Sequence, residues 1–444
     1  MTQTSERPQG LTTKQMLAAH PGLGGWRVKA FAATWLAYAT YYFVREAPSV
    51  AQLGILEEGS GLEHVLTKPV WGVLDTLYLV TYAIGQFIWG ACADRFGTRI
   101  VVIGGIITSI GAALVMGISP TVVAFGVAMT VLGFAQSTGW APLCKNVSNF
   151  FTVKERGRVL GLWSTNYAFG GLASVPFLGW LAYGLFDSWK VAFFGGAAVM
   201  GIALLVFLVL QRNSPEAVGL PNINDAERGT AAQASDQAAT DRPRPAKGST
   251  LKALRDPMVL TLGAAYFLIK PARYAILLWG PIIVNERLPQ VGKVSATAIT
   301  IAFGVAGCLA PSLIGFVSDK VFGSRRVPPA VLSLVLLTIV LALFSPLTAS
   351  GSVTMMIVVL GFMGLSVYAA DSMISCTAAV DFGKSDSAGT AAGVVNGCGS
   401  VGAIFGGLLP GIIGGHTYFY LFAGAALLAA LIMLPRWNRV PVAA

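Results

Sequence analysis

Charge is what this sequence has least of. Of its 444 residues only 11% are Asp, Glu, Lys or Arg, against about 25% in soluble domains. So thin a supply cannot cover a water-facing surface for a chain of this length. A soluble enzyme and a nucleic-acid-binding protein are therefore excluded, in spite of the formal net charge of +10. Cysteine is equally sparse. The five present (Cys92, Cys144, Cys308, Cys376 and Cys398) lie in or beside apolar stretches and form no CxxC pair, so neither a disulfide framework nor a zinc site is expected. No nucleophile–histidine pair, metal cluster or phosphate-cradling glycine loop stands in a workable setting, which leaves no enzyme chemistry, cofactor or metal to expect. The first 28 residues are polar and mixed, without the early apolar core of a cleavable signal.

What the chain has instead is apolar residues, 55% of it, and 52 glycines. That composition describes a multispanning membrane protein, in which glycine lets helices approach closely. Runs long enough to span, roughly 20 residues each, fall at 30–53, 70–93, 100–118, 120–149, 159–183 and 190–211. A polar stretch from Arg212 to Asp256 follows, and six more runs come after it: 257–285, 294–317, 327–349, 352–381, 388–414 and 416–435. The expected fold is an all-α membrane protein of twelve transmembrane helices in two six-helix bundles, 30–211 and 257–435. Residues 1–29, the 212–256 linker and the 436–444 tail flank them.

Lys and Arg set the orientation. If both termini and the linker share a side, that side carries 22 of the 30 basic residues and the other only Lys68, Lys190, Arg287 and Lys293. By the positive-inside rule both termini are cytoplasmic. The halves also repeat. Gly90-xxx-Asp94-Arg95-x-Gly97-x-Arg99 after helix 2 is echoed by Gly315-xxx-Asp319-Lys320 with Arg325-Arg326 after helix 8. Tyr38, Tyr42 and Arg45 in helix 1 have the spacing of Tyr266, Lys270 and Arg273 in helix 7. A repeat this long means two homologous bundles, with a substrate site near the midplane between them.

Arg45 and Arg273 lie 16 and 17 residues beyond Lys29 and Asp256, roughly 25 Å from the cytoplasmic flank at 1.5 Å per residue. An arginine there costs roughly 2.5–3.5 kcal/mol on insertion scales. Two at matched depth call for a shared reason, and a bidentate anion site supplies one. The plainer alternative neutralises each locally, Arg45 by Glu46 and Arg273 by Asp371, although adjacent helical residues point about 100° apart. Tyr38 and Tyr42 share Arg45's stripe, either as substrate donors or as helix packing. Lys270 is either a third substrate cation or the partner of Asp371, and Lys145 either lines an inner vestibule or snorkels. Gln86, Asn166, Tyr167 and Asn396 are candidates for a polar cavity wall. The histidines (His20, His64, His416) fall at ends or loops, none placed to relay protons at mid-membrane.

The duplicated loop motif resembles the signature of the major facilitator superfamily. More narrowly, Tyr38-xxx-Tyr42-Phe43-Val44-Arg45, Gly139-Trp140-Ala141-Pro142, Lys154-Glu155-Arg156-Gly157, Ser214-Pro215-Glu216-xx-Gly219-Leu220-Pro221 and Ala388-Gly389-Thr390-Ala391-Ala392-Gly393 resemble the organophosphate:phosphate antiporter family. The resemblance implies that Arg45 and Arg273 hold a phosphate, with Trp140 nearby. It also implies that Asp94, Arg95, Arg99, Asp319 and Lys320 latch a cytoplasmic gate. It departs from the bacterial phosphate-ester transporters at Gln86 and Tyr167, where Lys and His stand, and at Leu278 and Gly304, where acids stand. The expected function is a monomeric secondary transporter in a bacterial inner membrane, exchanging a phosphate ester or phosphonate for inorganic phosphate by alternating access. Two rivals remain. One is a membrane sensor of a sugar phosphate that signals to a kinase. The other is a proton-coupled organic-anion symporter using Glu46 or Asp371.

Overall fold

The computed structural model describes residues 13–118, 121–151, 159–160, 162–221, 256–323, 325–378 and 388–439, and they are helical without any strand. A short helix α1 (Thr13–Ala19) precedes α2 (Leu23–Arg45) and α3 (Ala47–Ile55), which form one broken path. Then come α4 (Lys68–Phe96), α5 (Thr98–Ile118), a second broken path of α6 (Val122–Gln136) and α7 (Trp140–Phe150), α8 (Thr165–Gly179) and α9 (Lys190–Leu210). The second half holds α10 (Pro257–Arg287), α11 (Gly292–Ile299) leading into α12 (Ile301–Lys320), α13 (Val327–Thr348), α14 (Val353–Ser372), α15 (Ala388–Ile412) and α16 (Tyr418–Met433). Both α8 and α14 widen into π-helical turns, Trp180–Leu185 and Met373–Ala378.

Helices dominate because a bilayer leaves no other partner for backbone N–H and C=O groups. Among the described residues, ten paths have the length and apolarity to cross a membrane. The path through α2 and α3 and the 29-residue α4 run beside them. At 1.5 Å per residue α4 is about 43 Å long, ample for a core of about 30 Å. Its apolarity is diluted by Lys68, Asp75 and Gln86, and that of α2 by Arg27, Lys29 and Arg45. Local chemistry fixes several starts. Asp256, for example, caps α10 by accepting from the Met258 and Val259 amides at 2.7 and 3.3 Å, as an N-cap carboxylate does.

In the first half α4 packs on α6, and α9 on α5 and α2; in the second α10 packs on α15, α12 on α14, and α13 on α16. Between the halves α4 runs along α15, α8 meets α11 and α12, and α3 meets α10. Small residues permit this closeness. A Cβ on Gly402 would lie 2.2 Å from the Phe267 carbonyl oxygen, and one on Gly411 would lie 2.5 Å from that of Lys68.

The runs expected at 30–53 and 120–149 are each broken, at Glu46 and at Ser137–Gly139. Much of the linker, residues 222–255, lies outside the described residues. Its start, however, is anchored: the Arg212 and Asn213 carbonyls accept from Asn146, and the Asn213 carbonyl also accepts from Asn149. There Ser214-Pro215-Glu216 forms a 3-10 turn closed by Gly219 at φ +75°, a conformation that suits glycine. The Lys154–Gly157 motif and the side chains of Asp94, Asp319 and Ala388–Ala392 also lie outside the described residues.

Candidate functional site

The break in the first path positions Arg45. It is the last residue of α2; Glu46 follows at φ −90°, ψ −8°, and α3 resumes with Pro48 in its first turn, where a missing N–H costs nothing. The break in the second path brings Gln136 level with it. Gly139 makes that turn possible, since a Cβ there would sit 2.8 Å from the Tyr38 ring. The Arg45 guanidinium donates to Gln136 Oε1 at 3.4 Å and lies over the rings of Tyr42 and Tyr82, at 4.6 and 5.0 Å. Glu46 is 3% exposed, and its Oε2 has no hydrogen-bond partner among the described residues.

Arg273 projects from α10 two residues beyond Pro271. Its Nη1 donates to Asp371 Oδ2 at 3.0 Å, and its guanidinium lies 4.3 Å over the Tyr368 ring. Lys270 reaches the other Asp371 oxygen at 3.5 Å and donates to the Tyr266 hydroxyl at 2.5 Å. Asp371 thus bridges both cations of the second half, just before the π-helical turn of α14.

Arg45 and Arg273 line one cavity of about 300 Å³ between the halves. Six tyrosines share its wall: Tyr42, Tyr78, Tyr82, Tyr167, Tyr274 and Tyr368. Apolar side chains such as Leu79, Leu172, Val175 and Phe303 cover most of the rest. The Nε of each arginine is buried and lacks an acceptor among the described residues. Two buried cations with spare donors, lifted off water and backed by aromatic faces, make a place for an anion.

Other expected residues fall elsewhere. Tyr38 is buried behind the wall, 5.3 Å from the Trp140 ring, and Trp140 packs tilted against Trp163 and edge-on to Tyr167 without reaching the cavity. Asn166 is buried and off the wall; Asn396 is exposed and also off it, and its amide donates to the Ser375 carbonyl at 3.4 Å. Gln86 is exposed, outside the cavity. These are corrections to a reading based on helical stripes: neighbouring helices cover Tyr38 and Asn166, whereas Gln86 and Asn396 are exposed away from the cavity. Lys145 donates to the Ala93 carbonyl at 3.4 Å. Of the loop residues, Arg99 binds the Gln211 and Leu208 carbonyls at 2.9 and 2.6 Å, closing the end of α9. Arg95 lies against Phe96, and Lys320 is exposed.

Sequence reasoning missed Tyr78, Tyr274, Tyr368, Gln136 and Asp75. Asp75 is 1% exposed on α4, with its Oδ2 unpartnered among the described residues. It also missed the pairing at the end distal to the α1 segment. There Lys68 pairs with Glu286 and Lys293 with Glu57. Among the described residues both ion pairs that join the halves lie at this end.

Known proteins agree with this architecture. Residues 32–407 match the Major Facilitator Superfamily. A probable hexose phosphate transport protein of Chlamydia muridarum is 26% identical over 93% of this chain and 91% of its own. The membrane sensor protein UhpC of Escherichia coli is 30% identical over 68% of this chain and 67% of its own. The crystal structure of a D-xylose–proton symporter shares the fold, with a TM-score of 0.69 at 15% identity over 93% of this chain and 98% of that one. The chain is a multispanning integral membrane protein that belongs to the Major Facilitator Superfamily and, within it, to the organophosphate:phosphate antiporter family.

Proposed function

We propose that the protein is a secondary active transporter that moves a phosphorylated organic anion across a bacterial inner membrane in exchange for inorganic phosphate. The observation that carries this reading is one arginine from each half on the wall of one cavity, each with a buried Nε–H that has no acceptor among the described residues. A phosphoryl group between them accepts from both guanidinium groups and neutralises two desolvated cations. The similarity to a hexose phosphate transport protein supports the substrate class.

In this reading twelve spans form two six-helix bundles with both termini in the cytoplasm, and the Glu57–Lys293 and Lys68–Glu286 pairs close the outer end. Substrate draws the halves together and lowers the barrier to their rocking. An empty site leaves two like charges facing each other in a low-dielectric cavity, which opposes the empty transition and couples export of one anion to import of another. The test is phosphate exchange in proteoliposomes. Arg45→Lys and Arg273→Lys should each slow exchange by about tenfold or more, since lysine lacks the bidentate fork; normal exchange in both variants would overturn the reading. The likeness to UhpC favours a second reading, a sensor that binds the same anion. Tight phosphate binding without flux would select it.

A further inference from the structure

The cavity has an acidic corner beside its arginines. Glu46 and Tyr78 both line it. Both are buried, at 3% and 4% exposure, and Glu46 Oε2 and the Tyr78 hydroxyl have no hydrogen-bond partner among the described residues. Asp75, within electrostatic reach of Glu46, sits one turn before Tyr78 on α4 with its own Oδ2 unpartnered among the described residues. Of the nearby cations, Arg45 lies within electrostatic reach of both Glu46 and Tyr78. It directs its hydrogen bond to Gln136 Oε1, however, and its face to Tyr42 and Tyr82, while Lys270 and Arg273 are held on Asp371. From α10, the Trp279 indole N–H donates to the Gly407 carbonyl at 3.0 Å and is also within reach of the Asp75 carboxylate. Buried acceptors without donors are costly, and here they open onto the same space as the two arginines.

We propose that Glu46 and Tyr78 form a cation subsite, and that the transported molecule is a zwitterion: an aminoalkyl phosphate or phosphonate. This rests on the phosphate-exchange reading above. The phosphoryl group sits between Arg45 and Arg273, while the protonated amine donates to the Glu46 carboxylate and the Tyr78 hydroxyl. The rest of the wall agrees with a short carbon chain. Among the described residues no Asn or Gln lines the cavity; its side-chain hydroxyls come from the tyrosines, Ser164, Thr165 and Thr300, and Leu79, Val175 and Leu278 offer apolar contact.

The experiment is competition against labelled phosphate exchange in proteoliposomes, using O-phosphoethanolamine and ethyl phosphate, which differ only in the amine. The wild type should be half-inhibited at a roughly tenfold lower concentration of the aminated compound, the scale of one charge-assisted contact. Glu46→Gln should bring that ratio to within about twofold, Glu46→Asp should retain part of it, and Tyr78→Phe should reduce it. A wild-type ratio near one, or an unchanged ratio in Glu46→Gln, would overturn the inference while leaving phosphate exchange in place. So would a Glu46→Gln variant that loses only the pH dependence of ethyl phosphate competition, for then the carboxyl carries a proton and not an amine. Failure of phosphate and both esters to compete, or to protect the purified protein from heat, would instead refute the phosphate reading itself.

Discussion

Replacing Asp371 with Asn separates two roles that a buried carboxylate can have. Asp371 holds Arg273 at 3.0 Å and Lys270 at 3.5 Å, and its side chain is 16% exposed. Removing one member of a buried charge set costs about 3–5 kcal/mol, because the remaining charges lose their partner. Here Lys270 keeps the Tyr266 hydroxyl, so about 2–4 kcal/mol is the reasonable range, a fall in Tm of roughly 2–4 °C for the empty protein. The effect on anion binding has the opposite sign. A phosphate on the cavity side of Arg273 would lie roughly 6–7 Å from the carboxylate. At an effective dielectric of about 20 the repulsion is about 2.5 kcal/mol. Asp371→Asn should therefore bind phosphate about 10- to 50-fold more tightly while being less stable without it. Thermal unfolding of the purified protein across a phosphate titration reads both quantities. An unchanged Tm together with weaker phosphate binding would refute the argument, and would mean that Asp371 orients Arg273 for the substrate instead of competing with it.

Three further outcomes follow from the distal end. Glu57→Gln with Glu286→Gln removes the two ion pairs that join the halves among the described residues; exposed pairs contribute about 0–1 kcal/mol each, so a cysteine placed at buried Ile283 should be labelled several-fold faster by a polar thiol reagent. Gly411→Val should do more, because the new Cβ runs into the α4 backbone, 2.5 Å from the Lys68 oxygen and 2.9 Å from Gly72 Cα; slower labelling at Ile283 would contradict it. His416, in the loop before α16, has its pKa lowered from 6.5 to about 4 by burial and then by Arg287. The unfolded chain binds that proton first, so this contribution is present above pH 6.5 and is lost as pH falls through 4. Allowing for solvent screening, the loss is about 1–2 kcal/mol. His416→Gln should flatten the fall in Tm over that interval, and an equal slope in both proteins would rule the histidine out.

The apolar runs reveal the membrane architecture because a span must be apolar over roughly 20 residues whatever it packs against. The breaks at Glu46 and Ser137–Gly139 are hidden for the converse reason: they depend on contacts such as Tyr38 against Gly139, made by residues about a hundred positions apart. The same division holds at the site. Arg45 and Arg273 stand out because an intramembrane charge is costly on its own account. Asp75 met the same criterion and was legible but overlooked. Tyr78, Tyr274 and Tyr368 were not legible, since a membrane tyrosine needs no special reason. Gln86, Asn166 and Asn396 show that helical spacing fixes the face of a helix without saying whether that face meets the cavity, a neighbouring helix or the outside.

The inner charges also divide in a way that spacing could not foretell. Lys270, Asp371 and Arg273 satisfy one another, so the second half presents a cation already partly compensated. In the first half Arg45 spends its charge on an amide and two aromatic faces, while Glu46 and Asp75 each keep a carboxylate oxygen unpartnered among the described residues. A substrate entering the cavity therefore gains most where compensation is least complete, on α2 and α4. The second-half arginine must be shared with Asp371 before it can help. Substrate choice should accordingly respond more steeply to changes at Glu46, Asp75 and Tyr78 than to changes at Lys270. Release should depend chiefly on how readily Asp371 takes Arg273 back.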